Sequence, residues 1–195
     1  FCVLLKGMNK LERAEEDITL AQLCADGDDA ARSRLYNKYA ARIFMLCTRY
    51  SGDSFAAKDL MHDSFIKIFD NIHKYDANKS SLKTWMSHVT VNFLIDYLRK
   101  AKRLKFVPID NNILDVPEPE YEHLSQIPKE QILKMVESLP DAKRVIFNLY
   151  CIEDYSHKEI AQLLGIKEKT SSSILYKARI MLSEMVNKYL IEAGS

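Results

Sequence analysis

Three groups of residues in this chain have types and spacings that could do chemistry. The segment 99–105 (RKAKRLK) carries five cations and no acid, a composition suited to nucleic-acid phosphates. Acidic residues and two histidines recur between residues 59 and 73, and the adjacent His62 and Asp63 could belong to a metal site. Residues 167–173 (KEKTSSS) offer lysines and hydroxyl groups, which can bind phosphates and base edges. The first and third groups therefore favour nucleic acid, and the second raises the question of catalysis.

A metal site at His62 would need further ligands from other helices. His73 lies eleven residues after His62, about three helical turns away, so the two cannot share one ion along a single helix. The four cysteines lack CxxC spacing, and the sequence contains no Walker loop and no GxSxG motif. We expect a polar helix face here, with no catalytic residue, no metal and no cofactor. The protein is predicted not to be an enzyme.

The composition predicts a protein that does not insert into membranes. The chain has 195 residues, a net charge of +1 and 47% hydrophobic residues, which is typical of a globular protein. No apolar run reaches the roughly 18 residues that a membrane helix needs. The scattered cysteines suit a reducing compartment and predict a cytoplasmic location. Seven residues precede Met8, and we expect them to be foreign to the natural protein. Residues 1–14 as a whole are predicted to be an N-terminal extension that is either disordered or foreign to the natural protein.

Residues 15–107 are predicted to form a bundle of four amphipathic helices. Apolar residues recur there at steps of three and four, with polar or glycine-containing segments between the stretches. The predicted buried faces are Leu35, Tyr39, Ile43, Leu46 and Tyr50; Met61, Phe65, Ile68 and Ile72; and Leu82, Trp85, Val89, Phe93 and Tyr97. The polar residues 75–81 predict a loop before the last of these helices.

A linker is predicted over residues 108–127. Four of the five prolines fall between residues 108 and 128, and residues 110–122 carry five acids with no Lys or Arg. Proline removes a backbone donor and restricts the residue before it, so this stretch is a poor helix. The chain is therefore predicted to be all-α, with two small helical domains joined by an acidic, proline-containing linker.

Residues 128–191 are predicted to form a helix-turn-helix domain. Ser156 and Glu159 match a capping box, and the helix that they open stops at Gly165 before a longer helix begins. In this motif the second helix enters the DNA major groove with its N-terminal residues foremost. Those residues are the lysines and hydroxyls of 167–173, so this domain is predicted to bind DNA.

Two motifs resemble the extracytoplasmic-function sigma factors of bacterial RNA polymerase. Residues 59–67 (DLMHDSFIK) look like region two, whose usual pattern is Asp-Leu-x-Gln-Asp/Glu-x-Phe, and residues 82–100 look like its promoter-melting part. Residues 139–179 look like region four, and a linker too short for a region-three domain is similar to this group. The resemblance spans residues 15–187. It implies a non-catalytic subunit that gives the polymerase its promoter specificity.

The resemblance also implies a role for each group of residues. Core RNA polymerase would be bound through its clamp helices by Asp59, His62, Asp63, Phe65 and Lys67. The minus-ten element would lie against Trp85, Asn92, Asp96, Arg99, Lys100, Lys102 and Arg103. The minus-thirty-five element would be bound by Lys167, Lys169, Thr170, Ser171, Ser172, Ser173, Lys177 and Arg179.

Further expectations come from the same resemblance. A pocket in the loop 75–84 would capture a base flipped from the non-template strand, which lowers the cost of melting. The acidic linker would follow the RNA exit path, with carboxylates in place of RNA phosphates. The implied partners are core RNA polymerase, promoter DNA and an anti-sigma factor. The chain departs from the family pattern at His62, where glutamine is usual, and at Ser172 and Ile174, where cations are frequent.

Two other functions stay open at this point. A stand-alone dimeric helix-turn-helix regulator would bind a palindromic duplex by itself, whereas a sigma factor should bind promoter DNA poorly without core polymerase. A metal-dependent hydrolase built on His62 and Asp63 would hold a metal ion and lose activity in His62→Ala.

Overall fold

The structure, a computed structural model, describes residues 2–101, 103–106 and 127–193, with side chains from Ala14 onward. The regular elements of these residues are all helices, which confirms the predicted all-α class. They are α1 (Cys2–Ala25), α2 (Asp29–Ser51), α3 (Ser54–Asn71), a 3-10 turn (Ile72–Lys74), α4 (Leu82–Lys100), α5 (Lys129–Glu137), α6 (Asp141–Cys151), α7 (His157–Leu164) and α8 (Glu168–Ala193). None of the helices in these ranges is long and apolar enough to cross a membrane.

Helix α1 includes most of the N-terminal extension predicted over residues 1–14. It begins at Cys2 and runs without a break to Ala25. The stretch 8–25 contains no glycine or proline and is rich in Leu, Ala and Glu, all of which favour helix. Once a helix is nucleated, each further residue adds one hydrogen bond, so α1 extends toward the N-terminus.

The chain divides into two compact units. The first holds the residues up to 47 together with residues 55–94, and the second holds residues 48–54 and those from 95 onward. The sequence predicted a division at the linker 108–127, and residues 107–126 lie outside the described residues. Within the second unit, the last turn of α2 and Arg103, which follows α4, share hydrogen bonds with α6, and Arg99 of α4 donates to Leu163 of α7.

The first unit has a core drawn from α1, α2, α3 and α4, and Leu20, Ala21 and Cys24 are buried residues of α1. The predicted faces of α2 and α3 are confirmed, since residues such as Leu35, Ile43 and Ile68 are fully buried. The predicted face of α4 is wrong: Trp85, Val89, Phe93 and Tyr97 are only half-buried. The α4 residues that are buried are Leu82, Met86, Val91, Leu94, Ile95 and Leu98. Both faces have helical spacing, and the bulky rings lie at the edge of the core.

In the second unit, α5–α8 form the predicted helix-turn-helix domain. The capping box that opens α7 is confirmed: Ser156 Oγ accepts from the Glu159 amide, and the Glu159 carboxylate accepts from the Ser156 amide. Gly165 ends α7 in the left-handed conformation, with φ of +69°, and α8 begins at Glu168. Val136, Leu139, Ala178 and Leu182 form a core cluster in which α5 packs on α8.

Candidate polymerase and nucleic-acid interfaces

The polar face of α3 collects most of the residues predicted to bind polymerase. Asp59, His62, Asp63 and Lys67 are all exposed, and their spacing places them on one side of the helix. Ile66 lies among them and is 55% exposed. The sequence analysis missed Ile66, although its position three and four residues from its polar neighbours indicates the same face. The result is a charged surface with one apolar residue at its centre.

Phe65 was grouped with these residues, but the structure buries it. Its side chain is 2% exposed, and its ring centroid lies 4.5 Å from that of Tyr36 and 5.9 Å from that of Phe69. Large aromatic rings contribute mainly through the area that they bury. Phe65 therefore anchors α3 to the core and holds the polar face in place from behind.

His62 is positioned by a residue of α2. Its Nδ1 lies 3.4 Å from the Tyr36 hydroxyl, and the two rings are stacked with centroids 6.1 Å apart. Within the ranges that the structure describes, no three His, Cys, Asp or Glu side chains gather closely enough to hold a metal ion. The ligand set that a hydrolase would need beside His62 and Asp63 is therefore not assembled among these residues.

The loop after α3 borders a cavity of about 330 Å³. Its lining includes Tyr75, Asp76 and Asn78 from the loop, and Ile18 and Gln22 from α1. The Asp76 carboxylate accepts hydrogen bonds from the Asn78 amide and side chain, and the backbone hydrogen bond is the main reason why the pKa of Asp76 is lowered. This turn gives the cavity a fixed polar rim. The contribution of α1 could not be predicted, because nothing local in residues 18–25 indicates it.

Trp85 lies at the edge of the same loop. It is half-buried, and its ring centroid lies 5.8 Å from that of Tyr75 at an interplanar angle of 56°. An aromatic ring in this position has one part of its surface packed and another part open. Such a ring is suited to stacking with a base.

The exposed residues of α4 continue along one helix face toward the basic segment. Asn92, Asp96, Arg99 and Lys100 are all exposed, and Arg99 Nη1 lies 3.0 Å from Asp96 Oδ1. Arg99 Nη2 also donates to the Leu163 carbonyl at 3.2 Å. Lys102, which was assigned to the minus-ten set, lies outside the described residues.

Arg103 follows the end of α4 and is fully engaged. Its guanidinium makes a bidentate ion pair with Asp141, at 2.7 and 2.9 Å, and donates to the Ser51 carbonyl at 3.0 Å. Its side chain is 35% exposed. The sequence analysis assigned Arg103 to DNA alone, since no local pattern indicates a partner 38 residues later.

Arg144 completes this arrangement from α6. It is 4% exposed, pairs with Asp141 and donates to the carbonyls of Tyr50 and Ser51. It also donates to two carbonyls at the end of α5, Glu137 and Leu139. Burial lowers the pKa of Arg144 and Asp141 opposes that shift. The guanidinium thus caps the C-terminal ends of two helices.

The N-terminal end of α8 presents only part of the predicted minus-thirty-five set. Lys167 and Lys169 are exposed. Four further members are partly exposed: Thr170, Ser172, Lys177 and Arg179. Ser171 and Ser173, by contrast, are buried, at 0% and 5% exposure. Ser171 Oγ lies 2.9 Å from His157 Nδ1 and Ser173 Oγ donates to the Lys169 carbonyl, so neither hydroxyl faces outward.

A histidine at the start of α7 holds Ser171. His157 Nδ1 lies 2.9 Å from Ser171 Oγ, and the imidazole is stacked on the Tyr150 ring at 4.5 Å. Burial is the main cause that lowers the pKa of His157, and the Arg179 guanidinium adds to it while Glu168 opposes it. The neutral ring therefore links α7 to the helix that would enter the groove, a contact that the sequence did not indicate.

Comparison with known protein families and relatives gives a consistent result. Residues 35–104 match the Sigma-70 region 2 family, and residues 129–182 match the Sigma-70 region 4 family. Two relatives are extracytoplasmic-function (ECF) sigma factors. SigM of Bacillus subtilis is 29% identical over 160 residues, which cover 79% of this chain and 94% of SigM. SigE of Mycolicibacterium smegmatis is 28% identical over 192 residues, which cover 94% of this chain and 74% of SigE.

A solved structure supports the fold. The structure of CnrH in complex with the cytosolic domain of CnrY is similar with a TM-score of 0.50 and 17% identity. The match covers 88% of this chain and 97% of that one. At this identity the likeness concerns the fold alone, and it agrees with the order of the helices described above.

Proposed function

Because the chain belongs to the ECF group of RNA polymerase sigma factors, we propose that three separate surfaces bind core polymerase, the minus-ten element and the minus-thirty-five element. The chain directs RNA polymerase to promoters, and sigma factors are in general non-enzymatic initiation factors. The observation that carries the division is the order of the two family matches, with region 2 over residues 35–104 and region 4 over residues 129–182. The specific residues below are our assignment.

Core polymerase is bound by the polar face of α3. Asp59, His62, Asp63 and Lys67 supply charged and hydrogen-bonding groups, and Ile66 supplies an apolar centre. Interfaces gain specificity from such a charged rim and affinity from the apolar residue that it surrounds. Phe65 contributes by holding the helix from below. The partner surface is the clamp helices of the largest polymerase subunit.

The minus-ten element is opened and held by α4 and the neighbouring loop. Asn92, Asp96, Arg99 and Lys100 supply an exposed polar stripe, and Arg103 continues it beyond the helix. Lys102 is assigned to the same contact. Trp85 offers a ring for stacking, and the cavity beside Tyr75 has the size and the polar rim to receive a flipped base.

The minus-thirty-five element is bound by α8. Lys167 and Lys169 are exposed at its N-terminal end, with Thr170 and Ser172 beside them, and the cations of the next turns complete the phosphate contacts. The buried Ser171 and Ser173 take no direct part. This end of α8 has fewer cations than the family often has. The DNA affinity of the domain should therefore depend less strongly on salt concentration.

Three further assignments follow from the family. The acidic residues of the linker 108–127 lie along the RNA exit path. An anti-sigma factor is a partner that holds the chain inactive. The protein acts in the cytoplasm, where bacterial RNA polymerase works.

Run-off transcription tests the proposal directly. Purified bacterial core polymerase is given a pool of promoter fragments with and without the chain. Transcripts that start at specific promoters only when the chain is present support the proposal and identify both elements. A chain that yields no transcripts but binds a palindromic duplex tightly without polymerase is a dimeric regulator, and that result overturns the proposal.

A further inference from the structure

Both arginines assigned to the minus-ten element are already bound within the second unit. Arg103 makes its bidentate pair with Asp141, and its Nη2 also donates to the Ser51 carbonyl. Arg99, one turn earlier, donates to the carbonyl of Leu163. Phosphate and carboxylate both present two oxygens to a guanidinium fork, so both compete for the same geometry. In the free chain, therefore, the carboxylate occupies the place that a promoter phosphate would take.

The surroundings of Asp141 allow it to release Arg103 without leaving a buried charge unpaired. Asp141 has a second cationic partner in Arg144, which is 4% exposed and is fixed by four backbone carbonyls. It also lies in the first turn of α6, where the helix dipole favours a negative charge. When Arg103 leaves, the carboxylate keeps both interactions.

Arg103 is the movable member of this cluster. Its side chain is 35% exposed, against 5% for the side chain of Arg144. Because part of the Arg103 side chain is open to solvent, a competing anion such as a DNA phosphate can approach its guanidinium and exchange with the carboxylate. Arg103 also lies beyond the last residue of α4, so its side chain can turn away without breaking the helix.

We propose that Asp141 is an intramolecular competitor for promoter phosphates, which holds Arg103 in the free chain and gives it up when DNA is engaged. This inference rests on the role assigned to Arg103 under the proposed function. It makes Asp141 a residue that sets how strongly the free chain binds nucleic acid, although Asp141 itself touches no DNA. The competition lowers binding to DNA that is not presented by polymerase.

The test measures binding of the full-length free chain to a fluorescein-labelled single-stranded DNA of mixed sequence. In Asp141→Asn, Arg103 is released to a phosphate. One more phosphate contact should steepen the slope of log K against log salt by about 0.7 and raise affinity roughly fivefold to tenfold at about 50 mM salt. Circular dichroism and thermal melting confirm that the variant is folded.

Two controls separate release of Arg103 from a mere change in net charge. Glu184→Gln removes one negative charge from an exposed position on α8 and should leave the slope unchanged. Arg103→Ala should abolish the gain in the Asp141→Asn background. A gain that survives Arg103→Ala, or an equal gain in Glu184→Gln, refutes the proposal.

A second variant keeps the test decisive should Asp141→Asn fail to fold. Arg103→Lys retains the charge but cannot make the bidentate pair, so it should raise DNA binding by the free chain, and an unchanged or lower affinity contradicts the proposal.

Open-complex formation by the polymerase holoenzyme distinguishes a wrong role for Arg103 in promoter binding from a wrong role for Asp141 as its competitor. If Arg103→Ala leaves open complexes unaffected, the assigned role of Arg103 is wrong. If it weakens them while Asp141→Asn changes nothing in the free chain, only the competition is wrong.

Discussion

Arg144 illustrates at the residue scale how a buried charge becomes an organising group. A guanidinium removed from water is costly unless its donors are satisfied. Here four backbone carbonyls and the carboxylate of Asp141 receive them. Those carbonyls are the unpaired acceptors that every helix leaves at its C-terminal end. The same contacts stabilise the charge and complete α2 and α5.

Gly52 should be intolerant of a side chain because of Arg144. Its φ is +67°, and a Cβ would lie 2.7 Å from Arg144 Cζ. Gly165 has nearly the same φ, +69°, but a Cβ there would meet nothing within 4 Å. Both alanine variants carry the left-handed backbone strain of about 1 kcal/mol, and Gly52→Ala adds an overpacking cost of about 1–3 kcal/mol. Chemical denaturation of the two variants measures the difference. Equal losses of unfolding free energy would show that Arg144 yields freely.

His157 should make stability fall on acidification. Its pKa is lower in the folded protein than the ordinary value near 6.5, because of burial and Arg179. As pH falls below that ordinary value, the unfolded chain binds the proton more readily, so the free energy of unfolding decreases. His157→Gln removes this contribution. The decrease between pH 7.5 and 5.5, measured by urea unfolding, should therefore be smaller in the variant, and an identical decrease would contradict the assignment.

At the scale of elements, α4 shows what periodicity can and cannot predict. Its existence and its first residue were predictable from the polar loop before it. Its buried face was not, because the stripes through Met86 and through Trp85 both have helical spacing, and only the neighbouring helices decide between them. The helix-turn-helix was predictable for the opposite reason. Its capping box and its terminal glycine are local signals, each contained within a few residues.

Substitutions in the polar face of α3 should weaken binding to core polymerase without loss of the fold. Asp63→Ala removes an exposed carboxylate from the charged rim of this face and is expected to lower affinity for core polymerase severalfold, since charges at an interface rim mainly steer association. Glu184→Ala, an exposed acid on α8, is the matched control and should bind as the wild type does. A pull-down or titration with core polymerase measures both. Equal affinities would remove Asp63 from the interface.

At the scale of the whole molecule, the order of motifs was predictable and the long-range contacts were not. Two moderately specific patterns, in the right order and at the right separation, identified the family that the comparisons confirm. The contacts of Arg103 with Asp141 and of Arg144 with Tyr50 join residues 38 and 94 positions apart. No local pattern in a single sequence indicates such pairs.

The arginines at the end of α4 should separate two steps of initiation. Arg99→Ala combined with Arg103→Ala removes two cations from the minus-ten contact but leaves the α3 face intact. Open-complex formation should fall by about tenfold or more, as expected for two lost phosphate contacts at moderate salt, while binding to core polymerase stays unchanged. Footprinting with permanganate and a polymerase titration measure the two steps. Equal losses in both would refute the separation.

The capped end of α2 has a consequence for the time order of synthesis. The carbonyls of Arg49, Tyr50 and Ser51 find their donors on Asn148, Arg144 and Arg103. Arg144 is translated 94 residues after Tyr50. At about 5–20 residues per second, the ribosome needs about 5–20 seconds to supply it. Throughout that interval the Tyr50 carbonyl at the end of α2 is hydrogen-bonded to water. This end of α2 therefore reaches its native state only after α6 has been synthesised.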